Sequence, residues 1–203
     1  MSVRSYSMAF TTGGLFHPES VTAALQYQEL KDWQAVSDRV VEQNLLQSRT
    51  VTTLKRQTRE IVSRLETLHD NEVDYLVDAS SQEQAYLLWL AVCRRYPFIA
   101  DFAEQVLREN YISLNATLSS EEFESFFNRQ AEWHEELDEI TDSTRAKLRQ
   151  VLFKILREAD LLTDANIINA ALLTPGLVEL VAQTDRTQLA YFPVFEADLI
   201  GVA

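Results

Sequence analysis

Arg49, Thr52, Lys55, Arg56, Arg59 and Ser63 are the residues whose types and spacing best suit a defined chemistry. If residues 48–68 form a helix, Arg49, Thr52, Arg56, Arg59 and Ser63 gather on one side with Lys55 flanking them. Val51, Leu54, Ile61, Val62, Leu65 and Leu68 fall on the other side. Guanidinium, ammonium and hydroxyl donors on one face, beginning at a helix amino terminus with its positive dipole end, match phosphate oxygens. The same pattern also fits an ordinary solvated face whose arginines pair with acids. A second basic stretch, Ser143 to Arg157, carries Arg145, Lys147, Arg149, Lys154 and Arg157 and no acid. Arg145 and Arg149 are its candidate contributors to the same surface.

Catalytic chemistry needs a convergent nucleophile, base and orienter, or metal ligands at usable spacing, and no such set is visible. Glu132-Trp133-His134-Glu135-Glu136 comes nearest. It lacks the second histidine four residues away that makes a zinc helix, and no Glu stands three residues before His134 as in carboxylate-bridged bundles. A solvated acidic face is the expectation there. Cys93 lies in an apolar run, which argues for an inert core thiol. His17 and His69 stand beside helix ends, where capping or surface roles are the default. Gly13-Gly14 is not followed by the Gly-Lys-Ser/Thr of a phosphate loop, so its glycines are read as serving positive φ or close backbone approach. The expectation is a protein that is not an enzyme, with no catalytic residue, no metal and no cofactor.

The 203 residues carry a formal net charge of −13, which favours solubility and opposes indiscriminate nucleic-acid binding by the molecule as a whole. Ten of the eighteen Lys and Arg sit in the two basic stretches, and a dense acidic block runs from Glu121 to Asp142. A lone cysteine fits a reducing cytoplasm. Met1 to Phe16 has no apolar h-region, and no window approaches the roughly 18 uncharged apolar residues of a membrane span. A cytoplasmic protein without membrane segments is therefore expected.

Four glycines and four prolines over this length predict long helices joined by short polar loops. The central feature is Gln82 to Asn110. Ala85 to Cys93 is apolar without interruption, so it reads as a helix buried on all sides, opened by the Ser80/Glu83 capping box. Pro97 starts the next helix, in which Ile99, Phe102, Ala103 and Val106 form a stripe. Together they predict a central buried hairpin bent at residues 94–97. Around it the sequence predicts a helix from Pro18 to about Leu30 with Val21, Ala24 and Leu25 inside. A second follows, capped by Asp32, with Trp33, Val36, Val40 and Val41 inside, and then a short helix over residues 71–79. Beyond the linker 111–118, a Ser119/Glu122 box opens a helix extending to Ile140, in which Phe123, Phe126, Phe127, Gln130, Trp133, Leu137 and Ile140 keep the period opposite an acidic outer side. Thr141 or Asp142 caps another that buries Leu148, Val151, Leu152, Ile155, Leu156 and Ala159, and Thr174-Pro175 starts a last one. The tail 189–203 is expected to dock as an extended segment. The fold class is all-α, a globular multi-helix bundle forming a single domain over 1–203, with a subdomain boundary at 111–120 left open.

Four strings carry a resemblance over nearly the whole chain: Phe10 to Leu15 (FTTGGL), Gln82 to Cys93 (QEQAYLLWLAVC), Ala131 to Leu137 (AEWHEEL), and Leu148 to Phe153 (LRQVLF) with Arg157 to Leu162 (READLL). They are similar to the BrxA family, a small core component of the bacteriophage exclusion (BREX) phage-defence systems. The resemblance implies an all-helical cytoplasmic protein acting beside a DNA methyltransferase, a large ATPase and an alkaline-phosphatase-like protein. It also implies a fold like helical nucleic-acid-binding bundles such as the antitermination factor NusB, and DNA as partner. It carries over no catalytic residue. Two functions follow: a DNA-binding accessory subunit using the basic faces, or a protein-interaction adaptor whose acidic surface docks the other defence components.

Overall fold

The computed structural model describes residues 5–11 and 13–200. Met1 to Arg4, residues 201–203 and Thr12, part of the expected extended segment at 10–15, lie outside them. The elements are helical throughout, with two isolated β-bridges and no strand among the described residues. They form two compact units, residues 15–95 and residues 1–14 with 96–203. Residues 111–120 lie inside the second unit, and the chain passes between units at Gly14/Leu15 and Arg95/Tyr96. The two helices read as one central hairpin therefore belong one to each unit.

The 15–95 unit holds α1 (His17–Leu30), α2 (Trp33–Glu42), α3 (Val51–Leu65), α4 (Asp70–Asp78) and α5 (Ser81–Arg95). The all-apolar run behaves as its composition demands: every residue from Ala85 to Cys93 is buried, and α5 packs against α1, α3 and α4. Burial pushes the Cys93 thiol well above its ordinary pKa, so it stays protonated. Ser80 Oγ accepts from the Glu83 N–H at 3.3 Å and Glu83 Oε2 accepts from the Ser80 N–H at 3.1 Å, which completes the expected box. Asp32 caps α2 through the Ala35 N–H at 2.8 Å. His17 contacts Gln84 Oε1 at 2.9 Å, and His69 stands at the N-cap of α4 with its N–H on Glu72 at 2.8 Å.

Inward assignments at Val21, Leu25, Val51 and Trp33 are corrected in this unit. Leu25 is exposed and Val21 only half-buried, because α1 turns Ser20, Ala23 and Ala24 toward the core and so presents small residues to four neighbouring helices. Val51, expected on the buried side, is 64% exposed because it is the first residue of α3, beyond the stretch that packs. Trp33 is half-buried and stacks on Tyr27 at 4.0 Å between centroids.

The other unit comprises α6 (Pro97–Phe102), a π-helical stretch (Ala103–Arg108), α7 (Glu109–Ile112), α8 (Ser120–Ala131), a 3₁₀ turn (Glu135–Leu137), α9 (Asp142–Glu158), α10 (Pro175–Asp185), a second 3₁₀ stretch (Arg186–Tyr191) and α11 (Glu196–Ile200). Its centre is aromatic. Phe98 lies within 6.0 Å, centroid to centroid, of Tyr6, Phe10, Phe123, Phe126 and Phe127, mostly edge to face, the geometry ring quadrupoles favour. The linker 111–118 is tied down by Leu118 N–H to the Asn166 carbonyl and Ile168 N–H to the Ala116 carbonyl. Gly13 adopts φ 88°, and a Cβ at Gly14 would collide with the Glu158 carboxylate, so this glycine pair serves positive φ and close approach respectively.

Here the structure corrects the long helix expected to reach Ile140. α8 stops at Ala131, and residues 132–141 turn through a 3₁₀ segment. The amino-terminal segment supplies the reason. Tyr6 stacks on His134 at 3.7 Å, donates its hydroxyl to Asp101 at 2.5 Å, and gives its backbone N–H to Glu136 Oε1 at 2.5 Å. His134 is therefore buried and Trp133, expected inside, is 71% exposed. The Tyr6 N–H lowers the Glu136 carboxyl to a pKa of about 2, against the opposing effect of burial. The tail docks through buried Phe192, Pro193 and Val194 and through Phe195 on Tyr111, but as 3₁₀ and α11 turns flanking a short extended step rather than as one extended strand.

Candidate nucleic-acid interface

α3 is capped by Thr50, whose hydroxyl accepts from the Thr53 N–H at 3.2 Å. Its length follows from Leu54, Thr58, Ile61, Val62 and Leu65, which are buried at helical spacing. That fixes what the opposite face displays. Arg49, Thr52, Lys55, Arg56 and Arg59 are all exposed, and none of the four cations has an ion pair with a described residue. Ser63 is half-buried and donates its hydroxyl to the Glu60 carbonyl at 2.9 Å, so that donor is already engaged. Arg64, on the same helix, is buried, with Nε on Glu60 at 2.8 Å and its guanidinium over the Phe16 ring.

Arg145 and Arg149, one turn apart on α9, are held differently. Both reach Glu124 of α8: Arg145 Nε lies 2.5 Å from Oε2, and Arg149 Nη1 donates to Oε1 at 2.6 Å. Arg145 also donates to the Glu124 carbonyl at 2.9 Å and stacks over Phe127, 4.2 Å from its centroid. Lys154 pairs with Glu158, and Arg157 with Asp164 and Asn166. The α9 cations are thus largely neutralised within their own unit, whereas the α3 cations are not. The two basic helices belong to different units.

The α3 donors flank a cleft of about 580 Å³ between α2 and α3, whose lining includes Trp33, Lys55, Arg59 and Ser63. Sequence reasoning assigned Trp33 to the core and so missed it as a surface of this cleft. Periodicity does not separate a core indole from one at a cleft wall, and its stacking on Tyr27 from α1 depends on tertiary structure. Among the described residues no helix is long and apolar enough to cross a membrane.

The family profile and the curated relatives agree on one family. The BrxA family profile matches residues 4–185. A BREX protein BrxA of Escherichia coli O9:H4 (strain HS) is 30% identical over 128 residues, 63% of this chain and 60% of that protein. A BREX protein BrxA of Paramagnetospirillum magneticum (strain ATCC 700264 / AMB-1) is 26% identical over 61% of this chain and 62% of its own. The chain thus spans about three fifths of the length of these curated relatives. The crystal structure of an uncharacterized protein from Magnetospirillum magneticum superposes with a TM-score of 0.80 at 20% identity, covering 94% of this chain and 98% of the other, which establishes a shared fold. With the profile covering most of its length, the chain belongs to the BrxA family.

Proposed function

We propose that this chain is a non-enzymatic component of a BREX phage-defence system that binds DNA through the exposed face of α3. The observation that carries the reading is the set Arg49, Lys55, Arg56 and Arg59, exposed and in no ion pair with a described residue in a chain whose formal charge is −13. Leaving four like charges unpaired on one short segment raises self-repulsion, and a polyanion relieves it. Phosphate contacts of this kind set affinity and salt dependence but not sequence preference.

The test is a titration against duplex DNA at several salt concentrations, comparing wild type with Arg56→Glu/Arg59→Glu. Each neutralised phosphate contributes roughly 0.9 to the slope of log affinity against log salt, so loss of two donors should flatten the slope by about two and weaken all sequences alike. Wild-type affinity and slope in this variant would remove α3 from the interface.

One observation favours a second reading, an adaptor that docks a basic partner. Trp133 stands 71% exposed between Glu132 and Glu135 on the turn clamped by Tyr6 and His134, an aromatic surface suited to a cationic side chain. If the DNA titration fails, Trp133→Ala tested for co-purification with the methyltransferase or ATPase of the system decides between the adaptor and neither.

A further inference from the structure

The α2/α3 cleft combines features that a simple phosphate-binding face does not need. Its volume of about 580 Å³ falls within the roughly 300–1,000 Å³ of small-ligand sites. Trp33 lines it, and the indole is held in place by stacking on Tyr27 with the planes 14° apart. Lys55 and Arg59 contribute cations from α3, while Asp38, Glu42 and Glu66 contribute carboxylates. Opposite charges surround one space without closing on each other: neither Lys55 nor Arg59 pairs with a described acid, and the side chains of Glu42 and Glu66 have no hydrogen-bond or ion-pair partner among the described residues. Only Asp38 is engaged, by Gln34 at 3.0 Å. A phosphate in the cleft would meet the two cations, and the carboxylates beside them would be left to accept N–H donors. The complementary ligand carries an anion at one end, a flat aromatic body, and N–H donors at the other.

We propose that this cleft receives one unpaired nucleotide of DNA, its base stacked on Trp33, its exocyclic amino group donating to Glu42 or Glu66, and its phosphate on Lys55 and Arg59. The inference rests on the phosphate-binding reading of α3, of which Lys55 and Arg59 are part. Carboxylates accept well from base amino groups, so adenine, cytosine and guanine fit better than thymine, which offers a single imino N–H. An unpaired nucleotide is also the accessible source of such a base, because extruding one from an intact duplex costs unstacking and unpairing energy.

The experiment uses the full chain and fluorescence anisotropy with a labelled duplex, either intact or carrying one extra unpaired nucleotide. At fixed salt the bulged duplex should bind about ten-fold tighter, the low end of what stacking on an aromatic side chain supplies. Trp33→Leu should abolish that preference while leaving affinity for intact duplex within about two-fold, since backbone contacts carry the latter. Glu42→Ala with Glu66→Ala removes both acceptors at two exposed positions and keeps the test alive if Trp33→Leu fails to fold. It should erase the preference for an amino-bearing bulge over thymine. Equal wild-type binding of both duplexes overturns the inference and leaves the α3 reading intact. No binding to either duplex overturns both.

Discussion

α3 and α9 each carry five Lys and Arg within or beside a single helix, and from sequence they look alike. Their surroundings separate them. α9 lies against α8, which brings one carboxylate, Glu124, to both Arg145 and Arg149. Across α3, Glu60 is taken by the buried Arg64, and the outer cations form no ion pair with a described acid. The lesson is that basic residues are informative only after their partners are subtracted. A paired arginine fixes one helix on another, and an unpaired one is available to an outside anion. Its structural weight should then scale with burial of the pair, which the following substitutions test.

The largest effect is expected at the most buried pair. Arg94 donates two guanidinium N–H groups to Glu72, Nη1 to Oε2 at 2.5 Å and Nη2 to Oε1 at 2.7 Å, with Glu72 fully buried. Glu72→Ala strands a buried cation and should cost about 3–5 kcal/mol, read from the urea midpoint. A loss below about 1 kcal/mol would mean that water reaches Arg94 freely. The pH dependence has a defined sign. Burial raises the Glu72 carboxyl pKa, but the Arg94 guanidinium and the His69 N–H hold it below the usual range. Its stabilisation is therefore fully present above an ordinary carboxylate pKa of roughly 4.3 and is lost as pH falls through the lower folded value. Glu72→Ala should flatten the acid limb of the stability curve.

Glu124→Ala is expected to have a smaller effect on stability and an opposite one on binding. Its two ion pairs are partly exposed, so their loss should cost about 1 kcal/mol. Arg145 and Arg149 then lack their carboxylate and α9 acquires the unpaired character of α3. If pairing is what silences α9, duplex affinity should rise and the salt slope steepen, by at most about two units for two added phosphate contacts. An unchanged slope would show that α9 faces away from DNA whatever its charge state.

Much of this arrangement is legible in the sequence because it is local. Asp32, the Ser80/Glu83 and Ser119/Glu122 boxes, Thr141 and Thr174 each cap the helix they precede, through contacts spanning three residues. The buried run of α5 is equally local, since no arrangement of neighbours could leave nine apolar residues in water. The failures are long-range. α8 ends at Ala131 without glycine or proline, because Tyr6, more than 120 residues away in sequence, claims His134 and Glu136. Spacing names the exposed cations of α3, but that they form no ion pair depends on where Glu60 points. Trp33 and Trp133 both read as inward from sequence because an indole at helical spacing looks like core.

The smallest expected effect gives the sharpest comparison, because both residues lie on α3. Arg59 and Arg64 carry the same charge five residues apart. Arg59 is exposed and unpaired among described residues, whereas Arg64 is buried between Glu60 and the Phe16 ring. Arg59→Gln should leave stability within about 0.5 kcal/mol, as for surface substitutions that break no packing, and should flatten the DNA salt slope by roughly 0.9, one phosphate's share. Arg64→Gln removes the same formal charge but leaves Glu60 without its cation and the Phe16 face uncovered, so it should lower the unfolding midpoint while leaving the slope of the folded protein unchanged. Net charge alone predicts identical behaviour for the two variants. Identical slopes would therefore reduce the α3 effect to bulk electrostatics, and divergent ones would locate it on the exposed face.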